Sequence, residues 1–163
     1  MKIRHIASGL QFPEGPIAMD DGSVLLVEIA RGTLSRVTPD GRIHVVSQMG
    51  GGPNGAAIGP DGAVYVCNNG GFEYCTEADG CLRPIAQARD YAGGRIERVN
   101  LATGKFERLF DSVDGIDLRG PNDIVFDAHG GFYFTDLGKV RAHEMDHGGV
   151  YYAPACAPAH TIA

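Results

Sequence analysis

The sequence predicts an all-β protein built from β-propeller blades, each a sheet of four antiparallel strands. Three observations carry this. One pattern occurs three times in the 163 residues: Pro then Glu or Asn, a short apolar run, an Asp/Gly turn, a second run, a loop and a third run. The runs alternate or are rich in Val, Ile, Tyr and Phe, and Gly, Asp and Pro bound them, as expected of strands and hairpins. No stretch reads as a helix of normal length, and a four-stranded unit repeated along a chain is a propeller blade.

The first unit, "FPEGPIAMDDGSVLLVEIARGTLSRVTPDGRIHVVSQ", runs from Phe12 to Gln48. The second opens with "GPNGAAIGPDGAVYVCNN" at Gly52 and resumes with "GGRIERVNLATGKFERLFD" from Gly93. Between them, residues 70–92 read as a loop insertion. The third is "GPNDIVFDAHGGFYFTD" from Gly120, followed by "GGVYYA" from Gly148. Blades therefore start near residues 12, 52 and 120 of one domain covering residues 1–163. The tail "PACAPAHTIA" lacks the turn and fourth strand the pattern calls for, while "KIRHIAS" at the start resembles the fourth strands "RIHVVSQ" and "KFERLFD".

Loop lengths separate two faces. With strands A to D counted outward from the axis, the A–B turns (Asp20–Gly22, Pro60–Gly62, Ala128–Gly130) and C–D turns (Thr38–Gly41, Leu101–Gly104) are short. The B–C and D–A connections lie on the opposite face and lengthen at Asn68–Gly93, Leu137–Gly148 and Ser112–Pro121. A rigid scaffold with its long loops on one face usually carries its site there. Strand A begins on that face, so Glu14, Asn54 and Asn122 should point to one central spot. One carboxylate and two amide oxygens suit a hard cation such as Ca²⁺. Asp123, directly after Asn122, adds a second carboxylate. Glu28 and Asp136 close B strands on the same face and read as solvated strand ends, with pocket lining as the other reading.

A net charge of −6 excludes a nucleic-acid surface, and no apolar run approaches the eighteen residues of a spanning helix. The N-terminus carries no apolar segment of the signal-peptide kind, so cytoplasm is the expected compartment. Cys75 and Cys81 flank a loop, but a cytoplasmic setting favours free thiols.

"FPEGP", "GPNGAAIGPDG" and "RGPNDIVFDAHGGFYFTD" resemble the senescence-marker-protein/gluconolactonase/luciferin-regenerating-enzyme family from Gln11 to about Ala153. The resemblance implies a six-bladed propeller with a divalent metal on its axis, Ca²⁺ or Zn²⁺, that hydrolyses lactones. It implies Glu14 and Asn122 as metal ligands, and Asn54 and Arg119 as substrate contacts. The family takes further ligands, including its usual base, from later blades, which leaves Asp123 as the candidate base here. The chain reads as half a ring: either a fragment, or a half that a second copy completes by lending its "KIRHIAS" strand. The alternative function is a catalytically incomplete propeller half that binds metal or serves as an interaction scaffold.

"HEMDH", residues 143–147, matches the H-E-x-x-H signature of zinc proteases, which requires a helix to put both histidines on one face. Its flanks are strand-like, so His143, Glu144 and His147 read instead as rim residues of a pocket on the long-loop face.

Overall fold

The computed structural model describes residues 2–155 and 160–161, and every regular element among them is a strand. The first sheet holds β1 (Pro13–Ala18), β2 (Val24–Glu28), β3 (Thr33–Val37) and β4 (Ile43–Gln48) in sequential order. The second uses β5 (Pro53–Ile58) and β6 (Val64–Asn68). A separate hairpin of β7 (Phe72–Thr76) and β8 (Leu82–Gln87) interrupts it before β9 (Arg95–Val99) and β10 (Phe106–Phe110) complete the sheet. A small hairpin, β11 (Ser112–Val113) and β12 (Ile116–Asp117), precedes the third sheet. That sheet is β13 (Pro121–Phe126), β14 (Phe132–Asp136), β15 (Gly149–Ala153) and β16 (His160–Thr161). All three are antiparallel, which makes them blades of a propeller.

Two expectations need correction. The insertion at 70–92 is a hairpin, because Phe72 to Thr76 pairs with Leu82 to Gln87 across the Glu77–Gly80 turn. The third blade has a fourth strand, short but paired through Tyr151↔Thr161 and Tyr152↔His160; the rest of the tail lies outside the described residues. "KIRHIAS" is not a strand within this chain, where β4 already closes the outer side of the first sheet; the blade edge expected to receive it belongs to the other half of the ring.

Local chemistry explains the blades. Each A–B turn is an Asx turn: Asp21, Asp61 and Asp127 accept from the backbone N–H of Ser23, Ala63 and His129. The following Gly22, Gly62 and Gly130 hold φ between +75° and +86°, where a Cβ would be strained. The blades stack face to face. Leu25, Val27 and Leu34 of the first blade bury against Val64, Val66 and Val99 of the second. Cys67 and Ile96 bury in turn with Ile124, Phe132 and Phe134 of the third. Apolar burial at both junctions supplies the main stabilisation. The outer face of the third blade, with Val125, Tyr133 and Val150, has no described sheet against it.

Candidate functional site

Every strand A is irregular at the same place. The register with strand B shifts between Glu14 and Ile17 in the first blade. It shifts between Pro53 and Ala56 in the second, and between Pro121 and Ile124 in the third. Bulges bend a strand and re-aim its side chains, and here each one re-aims the residue after the proline. The result is one cavity of about 370 Å³ lined by Glu14, Asn54, Asn122 and Asp123 with Gly15, Pro16, Gly55 and Ala56.

Close approach of the three innermost strands makes this possible. A Cβ at Gly15 would stand 2.8 Å from the Ala56 nitrogen, and one at Gly55 only 2.4 Å from the Asn122 carbonyl oxygen. Only glycine lets these backbones meet. The third blade has Asp123 at the corresponding position, on the side that faces no described blade.

The D–A segments are held from below by a device repeated in all three blades. Glu28, Asn68 and Asp136 each end strand B, and each is buried. Glu28 accepts from the Gln11 N–H at 2.7 Å. Asn68 accepts from Gly52 N–H at 2.8 Å, and Asp136 accepts from Arg119, Gly120 and Gly138 N–H at 2.7 Å each. These side chains therefore fix the backbone that leads into Glu14, Asn54 and Asn122. Glu28 and Asp136 are not solvated strand ends. Their oxygens serve backbone N–H groups that the sheet cannot pair, which desolvates them fully. In the second blade Asn68 also donates to Glu97, which is paired with Arg95 at 2.5 Å, so the network is closed.

Within the cavity, Asn54 Nδ2 donates to Asn122 Oδ1 at 2.8 Å. That bond fixes which way the Asn122 amide presents its oxygen and leaves a second lone pair on it. Asp123 Oδ1 accepts from Ile124 N–H at 2.9 Å. The oxygens of Glu14 and Asn122 suit a hard divalent cation, and they fall short of the six to eight such an ion takes. Among the described residues no group of three or more His, Cys, Asp or Glu side chains is gathered for a metal.

The remaining sequence candidates lie elsewhere. Arg119 is exposed, faces Asp117 at 3.6 Å and lines a different cavity with Tyr91 and Asp111. The segment 143–147 is irregular and closed by a Val140–Met145 bridge, so its histidines share no helix face and the protease geometry is absent. His143 and His147 are exposed, and Glu144 pairs with Arg141, which also binds Asp146 at 2.7 Å.

Sequence reasoning missed a second pocket of about 360 Å³ beside Asn54, under the β7–β8 hairpin. Asn69, Phe72, Gln87, Gly120, Leu137 and Lys139 are among its walls. The hairpin leans across all three blades. Tyr74 meets the Phe12 ring at 5.6 Å, while Lys139 Nζ sits 4.0 Å above the Phe72 ring and donates to the Gly71 carbonyl at 3.0 Å. Burial pulls Lys139 down to about 8 from the ordinary lysine value, partly opposed by the Asp136 charge. No spacing or motif marks Lys139 in the sequence.

The fold and cavity define a β-propeller with an oxygen-lined axial site at the mouths of its innermost strands. The chain belongs to the SMP-30/gluconolactonase/LRE-like family, whose model matches residues 12–162. It is similar to a gluconolactonase of Zymomonas mobilis, 26% identical over 170 residues, with 91% of this chain and 42% of that protein covered. Among solved structures it resembles a gluconolactonase from Xanthomonas campestris with a TM-score of 0.68 and 20% identity, over 94% of this chain and 48% of that one. It also resembles a Thermus thermophilus protein described as a candidate oxidoreductase (glucose dehydrogenase), with a TM-score of 0.56, 17% identity and 93% and 46% covered. At such identities the structural likeness speaks for the fold, which hosts more than one chemistry. The chain spans about half the length of the relatives it matches.

Proposed function

We propose that this chain is part of a divalent-metal-dependent lactonase of the gluconolactonase type. The observation that carries the proposal is the repeated strand bulge that turns Glu14, Asn54 and Asn122 into one cavity, in a chain of this family. Glu14 and Asn122 would hold the ion, Ca²⁺ by the hard oxygen donors and Zn²⁺ as the alternative. A bound divalent cation would polarise the lactone carbonyl as a Lewis acid. Asn54 orients the Asn122 amide and borders the space the ester ring would occupy. Asp123, on the cavity wall, takes the proton of the water as its oxygen bonds to the carbonyl carbon; the ring C–O bond then breaks and Asp123 returns that proton to the leaving alkoxide. Arg119 lines a separate cavity with Tyr91 and Asp111, so this reading gives it no contact with the reacting ring.

The remaining ligands come from the other half of the ring, whether further chain or a second copy. Light scattering tests the second copy: a dimer supports it, and a stable monomer removes it. The activity is tested by pH-stat hydrolysis of simple lactones with and without Ca²⁺ or Zn²⁺. A metal-dependent rate lost in Glu14→Ala supports the reading. Saturable metal binding with no hydrolysis favours the incomplete half that binds metal as a scaffold.

A further inference from the structure

We propose that the pocket under the β7–β8 hairpin is a substituent subsite, and that it takes a plain alkyl tail carried by the lactone ring. The proposal rests on the lactonase reading and names the substrates it favours, lactones with an alkyl tail over those with a hydroxylated one. Two residues tie the pocket to the axial cavity. Asn54 lines both, and Gly120 in the pocket wall leads through Pro121 into Asn122. A tail on a ring seated at the axis therefore passes Asn54 into a space of about 360 Å³, within the range of small-ligand sites.

What the lining presents decides the chemistry. Ile85, Leu137 and Val140 stand 53%, 65% and 68% exposed at the rim, and Phe72, Pro84 and Ala86 complete an apolar wall. Most polar groups of the lining are committed inside the protein. The Asn69 oxygen accepts from Gly71 N–H at 2.8 Å, while the Asn69 amide nitrogen and the Gln87 amide oxygen lie too deep for a ligand to touch. Lys139 is buried as well, and its Nζ is spent on the Gly71 carbonyl at 3.0 Å and the Phe72 ring at 4.0 Å. A hydroxylated tail would give up its water against this wall without gaining enough partners, whereas each methylene gains by leaving water. The rim is open, so the end of a long tail runs back into solvent and the gain per methylene levels off.

Binding and hydrolysis are read separately. Calorimetry at fixed Ca²⁺ compares three non-hydrolysable rings: 3-methyl-, 3-pentyl- and 3-(2,3-dihydroxypropyl)cyclopentanone, the last two with tails of equal heavy-atom number. The four added methylenes at about fourfold each would give about 250-fold if wholly buried; with part of the tail wet at the rim, the pentyl ring should bind at least about tenfold tighter than the methyl one. The dihydroxypropyl ring should bind no tighter than the methyl one. Val140→Asp, at the rim, should cut the pentyl preference below about threefold, because the tail would then desolvate a carboxylate. Val125→Asp, similarly exposed on the outer face of the third blade, should leave the preference in place. Equal affinity for the pentyl and methyl rings, tighter binding of the dihydroxypropyl ring, or a preference that Val125→Asp removes and Val140→Asp does not, overturns the proposal. So does a dimer in light scattering that Val140→Asp splits, because a second copy then covers the rim. If the preference and its dependence on Val140 appear but no lactone is hydrolysed with metal present, the subsite is supported and the lactonase reading fails.

Discussion

Asp136→Ala is the perturbation that most severely tests how the axial strands are held. The carboxylate accepts three backbone N–H groups at 2.7 Å, with Gly120 buried and the other two partly screened. Leaving a buried donor unpaired costs about 1–3 kcal/mol, and water can reach the Arg119 N–H more readily than that of Gly120. The three together predict a loss of about 4 kcal/mol, a large share of the about 5–15 kcal/mol that holds a domain. Asp136→Asn keeps one oxygen for Gly120 and Gly138 but turns an NH₂ toward the Arg119 N–H, predicting about half that loss. Urea unfolding at pH 7, followed by tyrosine fluorescence because the chain has no Trp, gives both values. A loss below about 1 kcal/mol for the alanine variant would refute the claim that this side chain anchors the segment leading into Asn122.

Other outcomes follow from the same geometry. Gly55→Ala must push its methyl into the Asn122 carbonyl and the Asp123 backbone, so it should destabilise by about 1–3 kcal/mol and weaken metal binding together; an unchanged unfolding midpoint contradicts the close approach. Lys139 titrates near 8 in the folded chain and near 10.5 when unfolded, so the folded state binds fewer protons between those values. Stability should therefore rise with pH across that window, with the penalty of about 3 kcal/mol fully present below it. The ammonium's contact with Phe72 offsets part of this. Lys139→Met should remove the slope, read as the difference between the two proteins' urea midpoints at pH 7 and 10. Asn54→Ala should leave folding intact yet free the Asn122 amide to rotate, which lowers metal affinity; unchanged calorimetric affinity would argue against that orienting bond.

The blade pattern was legible because each unit repeats a short turn that ends in Gly22, Gly62 or Gly130, with Asp21 and Asp61 at one turn position and Asp127 two residues earlier in the third. The axial residues were legible for the same reason: a Pro-Glu or Pro-Asn pair recurs at each strand A. What failed were roles that exist only across the fold. Glu28 and Asp136 read as solvated ends because nothing local says that backbone N–H groups of a distant loop need an acceptor there. A signal was present, however, since Glu28, Asn68 and Asp136 occupy one repeat position. The hairpin at 70–92 was hidden because it breaks the repeat and carries Pro84 inside a strand. Such a proline is tolerated on a two-stranded ribbon, where one side of β8 has no neighbour. Lys139 gave no signal, because its burial depends on Phe72 and Tyr91 folding over it.

The central claim is that the three turned-in residues form a metal site for lactone opening. It is tested most directly by proton release from δ-gluconolactone, with and without added Ca²⁺, with the protein and its Glu14→Gln variant compared at equal folded concentration. The account predicts a Ca²⁺-dependent rate above the spontaneous one that Glu14→Gln returns to background. A rate indifferent to Ca²⁺, or one that Glu14→Gln leaves unchanged, would contradict it.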